Sequence, residues 1–198
     1  MFLSRNNFLI YIVKQIALAR SAYRRYTSFN IVITIIIIKL MARCFRQNSG
    51  QKEKKLASVI EKNEKVVILE ISEKEMFLYG TSYGRGGEII YNELGLRAPV
   101  KVEEIAFEAG WAGMTLEVLP EYLAEADYLL LGVRELGEEN KKDIQNSPLW
   151  QNLPAVQVGC VMKYDLDSFY FQDPIALEQQ LDETAAFLLS KQQAGAPS

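Results

Sequence analysis

Residues 79–91 read YGTSYGRGGEIIY, and this stretch decides how the rest of the chain is organised. An apolar run ends at Tyr79, three glycines close around Arg85, and a new periodic segment begins at Glu88. Glycines packed between a strand and a helix mark a place where the backbone turns sharply or passes close to another group. The stretch therefore predicts a strand-to-helix junction with an arginine presented at its tip.

Outward from that junction, strand and helix patterns alternate. KVVILEI (65–71) is β-branched and continuous, the pattern of a buried strand, and EMFLYG (75–80) is a second strand after the turn-like SEKE. GRGGEIIYNELGL opens a helix at its glycines and stops it at Gly95. EEIAFEAG is a short helix or loop, and TLEVLPEYLAEA holds a helical turn broken near Pro120. DYLLLGV (127–133) is a third apolar strand, GEENKKDIQNSPLWQNLPAV is helical in two pieces, and VQVGCVMKYD (156–165) is expected as paired short strands. DPIALEQQLDETAAFLLSK (173–191) places proline early and apolar residues at Ile175, Leu177, Leu181, Ala185 and Leu188/Leu189, an amphipathic terminal helix. The alternation predicts an α/β layer architecture for 66–198.

The first fifty residues follow other rules. Residues 1–52 carry nine Lys or Arg and no acid, whereas the rest of the chain holds all 25 acidic groups against 13 basic ones. Two apolar runs, FLIYIV (8–13) and IVITIIII (31–38), fall short of the ~18–20 residues that cross a bilayer as a helix. The second, after Arg24 and Arg25 and before LMARC, has the layout of a secretory leader with a lipobox-like end, which makes Cys44 the candidate lipid anchor. Arg43 stands where a small residue is expected, and Lys39 interrupts the run. A membrane-surface association through residues 1–44 and a stretch translated from a foreign frame stay open beside it.

The chain has no histidine, which excludes Ser-His-Asp and Cys-His hydrolase chemistry and removes the commonest metal ligand. Cys44 and Cys160 fall in different segments and define neither a disulfide framework nor a metal site. A nucleotide-binding reading of GRGGE meets two obstacles: the sixth position of G-x-G-x-x-G is Ile89, and Glu104, at the spacing of a ribose-binding acid, lies away from any strand end.

Three blocks together, ILEISEKEMFLYGTSYGRGGEIIYNELGL, LEVLPEYLAEADYLLL and SPLWQNLPAVQVGCVMKYDLDSFYFQDPIALEQQLDE, resemble the C-terminal half of the ferric-siderophore (iron(III)-hydroxamate-type) substrate-binding proteins of bacterial ABC transporters. The resemblance implies the Rossmann-like C-terminal lobe of a helix-linked bilobal fold, with residues 51–65 as the end of the interlobe helix and the N-terminal lobe missing. It implies a non-enzymatic function: capture of a ferric chelate outside the cytoplasmic membrane and delivery to a permease. The ligand is the ferric siderophore, no intrinsic cofactor or metal is expected, and nucleic acid is not among the partners. By resemblance, Tyr83 and Arg85 face the ligand, an aromatic of SFYFQDP (Tyr170, with Phe169 as the alternative) lines the cleft, and Trp111 is a third aromatic, in an apparent loop. Arginine suits this ligand because its planar fork of donors matches iron-bound oxygens. The bland reading has Tyr83 packed and Arg85 paired with Glu88 on the surface. Glu117 matches the carboxylate that docks on permease arginines, with Glu121 as an alternative surface acid. A lone lobe leaves two further readings, a module that docks the permease without cargo and a non-functional remnant. It also predicts that one face of Val66–Ile71 is uncovered, with self-association as the consequence.

Overall fold

In the computed structural model the described residues are 64–195, with side chains through Lys191, and all belong to one compact unit, Cys44–Ser198. The expectations for residues 1–50, for most of the interlobe helix and for Cys44 lie outside the described residues.

Val66–Ile71 (β1) is the middle of a five-stranded sheet and is buried at all six positions. A continuous apolar strand needs cover on both faces, and it has it here. The expected uncovered face of Val66–Ile71 is thus corrected. On one side β1 pairs antiparallel with Met76–Tyr79 (β2) across a turn in which Ser72 N–H donates to the Glu75 carbonyl at 2.8 Å. β2 pairs in turn with Trp111–Met114 (β3), the edge strand. On the other side β1 runs parallel to Tyr128–Val133 (β4), and β4 parallel to Val161–Lys163 (β5). The sheet is therefore mixed, with hairpin-like antiparallel pairing on one flank and helical crossovers on the other.

The junction after β2 becomes a π-helical segment, Glu88–Glu93, ended by Gly95 at φ +69°. Helix α1 (Val100–Ala106) leads to β3, and a 3₁₀ turn (Leu116–Val118) leads into α2 (Leu119–Leu123). Helices α3 (Glu138–Asn146), α4 (Pro148–Gln151) and α5 (Pro154–Gln157) connect β4 to β5; α6 (Leu166–Tyr170) and α7 (Pro174–Gly195) complete the described chain. Prolines 120, 148, 154 and 174 all sit in first turns, where the missing N–H has no intrahelical partner to lose. Pro120 accordingly starts α2 and breaks nothing.

Several expectations change. The stretch holding Trp111 is a strand, legible only once β2 offers it a partner. The run before β5 makes three helices in place of two, because Ser147 caps α4 by accepting from Trp150 N–H at 3.2 Å and so ends α3. Residues 156–165 contribute one strand, β5; Val156 and Gln157 finish α5. In α7 the buried stripe is Leu177, Gln180, Leu181, Thr184, Ala185 and Leu188, while Ile175 is 68% exposed. Gln180 is buried because its Nε2 donates to the carbonyls of Ser168 and Phe171, both at 2.9 Å, and so fixes the α6–α7 corner.

Candidate functional site

Strand register builds the floor of the site. Glu70 stands opposite Phe77 on β2 and Gly132 on β4, and Ile68 opposite Tyr79 and Leu130, so Glu70, Phe77 and Tyr79 share one sheet face. Gly132 is bare for a reason: a Cβ there would meet the Tyr164 ring at 2.6 Å. Glu70 is fully buried in a strand that is otherwise apolar. A buried carboxylate requires partners, and it has two: Nε of Arg85 on one oxygen and Nε of Arg134 on the other.

Arg85 reaches Glu70 from the glycine loop. Gly84, Arg85 and Gly86 have φ of +79°, +60° and +89°, three successive left-handed residues that reverse the chain. The Arg85 N–H donates to the Phe169 carbonyl at 2.8 Å. A Cβ at Gly86 would press on the Phe169 ring at 3.1 Å, and one at Gly87 would lie 1.9 Å from the Gly80 carbonyl oxygen. The glycines thus admit the protein's own neighbours. The close approach expected of them is real, and what comes close is this chain. Glu88 locks the loop from behind: its Oε1 accepts from Gly84 N–H at 3.1 Å and from the Gln172 amide, and burial pushes its carboxyl above the ordinary value.

The Arg85 side chain is 9% exposed. Its guanidinium carbon lies 4.9 Å from the Tyr170 ring centre and 5.4 Å from that of Tyr79, within cation–π range of both. Burial opposes its charge, but the hydrogen bond and charge of Glu70 carry its pKa above the usual arginine value. Its Nη1 is buried and has no hydrogen-bond partner among the described residues. Tyr83 stacks on Tyr79 at 6.0 Å and touches Trp111 at 6.3 Å; Trp111 packs edge-on to Phe77 at 5.6 Å; and Arg134 covers Phe77 at 5.0 Å. From Arg134 the contacts return to Arg85 through Glu70, so the cluster closes on itself. Tyr83 (53%), Trp111 (41%) and Tyr170 (61%) expose their faces while Arg85 and Glu70 do not. The hydroxyls of Tyr79 and Tyr164 are held above the usual tyrosine range, first by burial and then by the Glu70 charge.

Tyr83, Arg85, Tyr170 and Trp111 are therefore brought together. Phe169 is not part of the surface: it is fully buried, 4.8 Å from the Tyr164 ring and beneath Gly86, a core residue. Nor does Arg85 pair with Glu88 on the surface; its partner is the buried Glu70 fifteen residues earlier. Glu70, Tyr79, Phe77 and Arg134 escaped the reading of the sequence, although one acid inside VVILEI was a signal for the first. Glu117 is exposed on the Leu116–Val118 turn, off the end of β3 opposite Trp111; the Thr115 hydroxyl holds its carboxyl below the ordinary value. Glu121 is tied to Lys101 at 2.7 Å. Glu104, the acid of the nucleotide reading, lies inside α1 and is exposed.

The site thus sets a fixed guanidinium, with Nη1 unpaired, among exposed aromatic faces. No family model matches the chain. Among curated proteins it is 36% identical over 151 residues to the iron(3+)-hydroxamate-binding protein YxeB of Bacillus subtilis, covering 74% of this chain and 46% of that one. To FhuD of the same organism, also an iron(3+)-hydroxamate-binding protein, it is 37% identical over 138 residues, covering 66% of this chain and 43% of the relative. The chain spans about half the length of the curated relatives it matches. FhuD2 from Staphylococcus aureus, solved with bound ferrioxamine B, shares the fold with a TM-score of 0.71 at 23% identity, over 82% of this chain and 62% of that one. A FhuD-fold periplasmic binding-protein component of a Fep/Fec-like ferrichrome ABC transporter from Bacillus subtilis gives 0.70 at 27% identity, over 84% and 65%. The chain is homologous to about half of an iron(3+)-hydroxamate-binding protein, and the relatives are named as binding proteins, not enzymes.

Proposed function

We propose that this chain forms one wall, the C-terminal one, of a ferric-siderophore site in the substrate-binding component of an ABC importer, working outside the cytoplasmic membrane. The buried Arg85 fork carries this reading: it is clamped by Glu70, flanked by Tyr79 and Tyr170, and still has Nη1 unpaired. Ferric hydroxamates offer iron-bound oxygens to the Arg85 charge and alkyl spacers to the exposed rings of Tyr83, Trp111 and Tyr170. Delivery to the permease is assigned to Glu117, whose exposed carboxylate gives registration and on-rate more than affinity.

The test is a titration of the full chain with a ferric trihydroxamate, followed by tryptophan quenching, with Trp111 as the reporter in the site. Saturable quenching is expected, with affinity about tenfold or more lower in Arg85→Gln, the worth of one charge-assisted hydrogen bond. Absence of saturable quenching sinks the cargo-binding reading. A second reading, a lobe that docks the permease without cargo, is favoured by an exposed Glu117 that lies off the end of β3 opposite Trp111. Permease capture that is abolished by Glu117→Lys, in a chain that fails to quench, would establish it.

A further inference from the structure

We propose that the site selects its chelate by charge, and that Arg134 is the residue that sets the selection; the inference rests on the chelate-binding reading above. Two guanidinium groups share one carboxylate: Arg85 and Arg134 each give Nε to Glu70, and Glu70 is fully buried. The cluster therefore holds one positive charge in excess. The excess is not placed at random. Arg85 is enclosed and its orientation is fixed, whereas the Arg134 side chain is 47% exposed and lies over Phe77, on the rim of the aromatic surface. Arg85 Nη1 is buried and has no hydrogen-bond partner among the described residues.

Other charges nearby work the opposite way and must be weighed. Glu135, Glu138, Asp165 and Asp167, with Lys141 and Lys163, line a groove of about 450 Å³ beyond the ends of β4 and β5. Its acids are exposed, so salt and water screen them. The Glu70 cluster is walled by aromatic rings, where charges act through a lower effective dielectric. Arg134, held on Glu70 and laid against Phe77, stands next to the aromatic surface, so its charge decides. A chelate that carries a free carboxylate gains from Arg134, and one that ends in an ammonium is penalised by the same group.

The experiment uses one iron cage with three ends: ferric desferrioxamine with its pendant amine, its N-acetyl form and its N-succinyl form, of net charge about +1, 0 and −1. The full chain is titrated with each. One net charge about 10 Å away in a half-solvated site predicts roughly three- to fivefold in affinity per unit charge, tightest for the succinyl form. In Arg134→Gln the span from amine to succinyl shrinks to about twofold or less, Arg134→Lys restores it, and added salt narrows it in the wild type. Equal affinity for all three chelates, or a span undiminished in Arg134→Gln, overturns the charge selection and leaves chelate binding standing. Failure of all three to bind overturns the chelate reading, and this inference with it.

Discussion

Replacing Glu70 by Gln tests the centre of the structure. Glu70 is wholly buried, and the side chains of its two arginines are 9% and 47% exposed. Gln keeps the shape but removes the charge, leaving the enclosed Arg85 guanidinium without a counter-ion. Breaking a buried ion pair from one side costs about 3–5 kcal/mol. The Arg134 half is near solvent and adds about 1 kcal/mol at most. A loss of about 4 kcal/mol is therefore expected, a large part of the roughly 5–15 kcal/mol that stabilises an ordinary domain. Urea denaturation followed by circular dichroism measures it, with an unchanged slope confirming that the unfolding unit is the same. The double variant Glu70→Gln with Arg85→Met is the sharper measurement. Removing both charges from a buried pair is often near neutral, so the double should recover about 2 kcal/mol or more of the single loss. A cost below about 1 kcal/mol for Glu70→Gln, or strict additivity in the double, would refute the claim that Glu70 and Arg85 form one buried unit.

Two other outcomes follow from the same packing. Burial raises the Glu88 pKa above its ordinary 4.5, so the folded state holds this proton longer than the unfolded one; the Glu88 contribution to stability must then fall as pH rises from the ordinary value through the raised one. Thermal melts across the acidic range should show that slope in the wild type and lose it in Glu88→Gln, which keeps an acceptor for Gly84 and Gln172. Gly132→Ala sets a methyl 2.6 Å from the Tyr164 ring, itself buried beside Phe169; a loss of about 1–3 kcal/mol is expected, milder in a Tyr164→Leu background, both read from denaturant midpoints.

Much of the fold was legible because its signals are local. The apolar runs of β1 and β4 need cover on both faces, and the prolines at first turns announce helix starts. β3 was illegible because its four residues, WAGM, have no strand pattern of their own and become a strand only against β2. β5 was over-read because Gly159 and the apolar residues around it suit a hairpin, yet Pro154 had already committed the preceding residues to a helix. At the site, Tyr83, Arg85 and Tyr170 were singled out by the resemblance of the glycine block and the aromatic loop to the siderophore-binding family, and the structure sets them together. Arg134 was not, since nothing beside it in VRELGEE singles it out; its meaning comes from the parallel register that puts Gly132 next to Glu70. Phe169 and Tyr170 differ by one position along α6, and only packing under Gly86 decides which of them turns inward.

Arg85 occupies a left-handed conformation that costs a residue with a side chain roughly 1–2 kcal/mol, between two glycines that adopt it freely. Glycine at position 85 would relieve that strain, so the side chain must return more than the backbone loses. Part of the return is the ion pair with Glu70. A free arginine surrenders about 2 kcal/mol of rotamer freedom when it is fixed, and here Glu70, Tyr79 and Tyr170 already hold it. On the chelate-binding reading proposed above, a ligand reaching this surface finds the guanidinium already ordered, which is how preorganisation raises affinity. Backbone strain at Arg85, its buried anchor and its unpaired Nη1 are in this sense parts of a single arrangement, and the three glycines around it serve to let that arrangement pack.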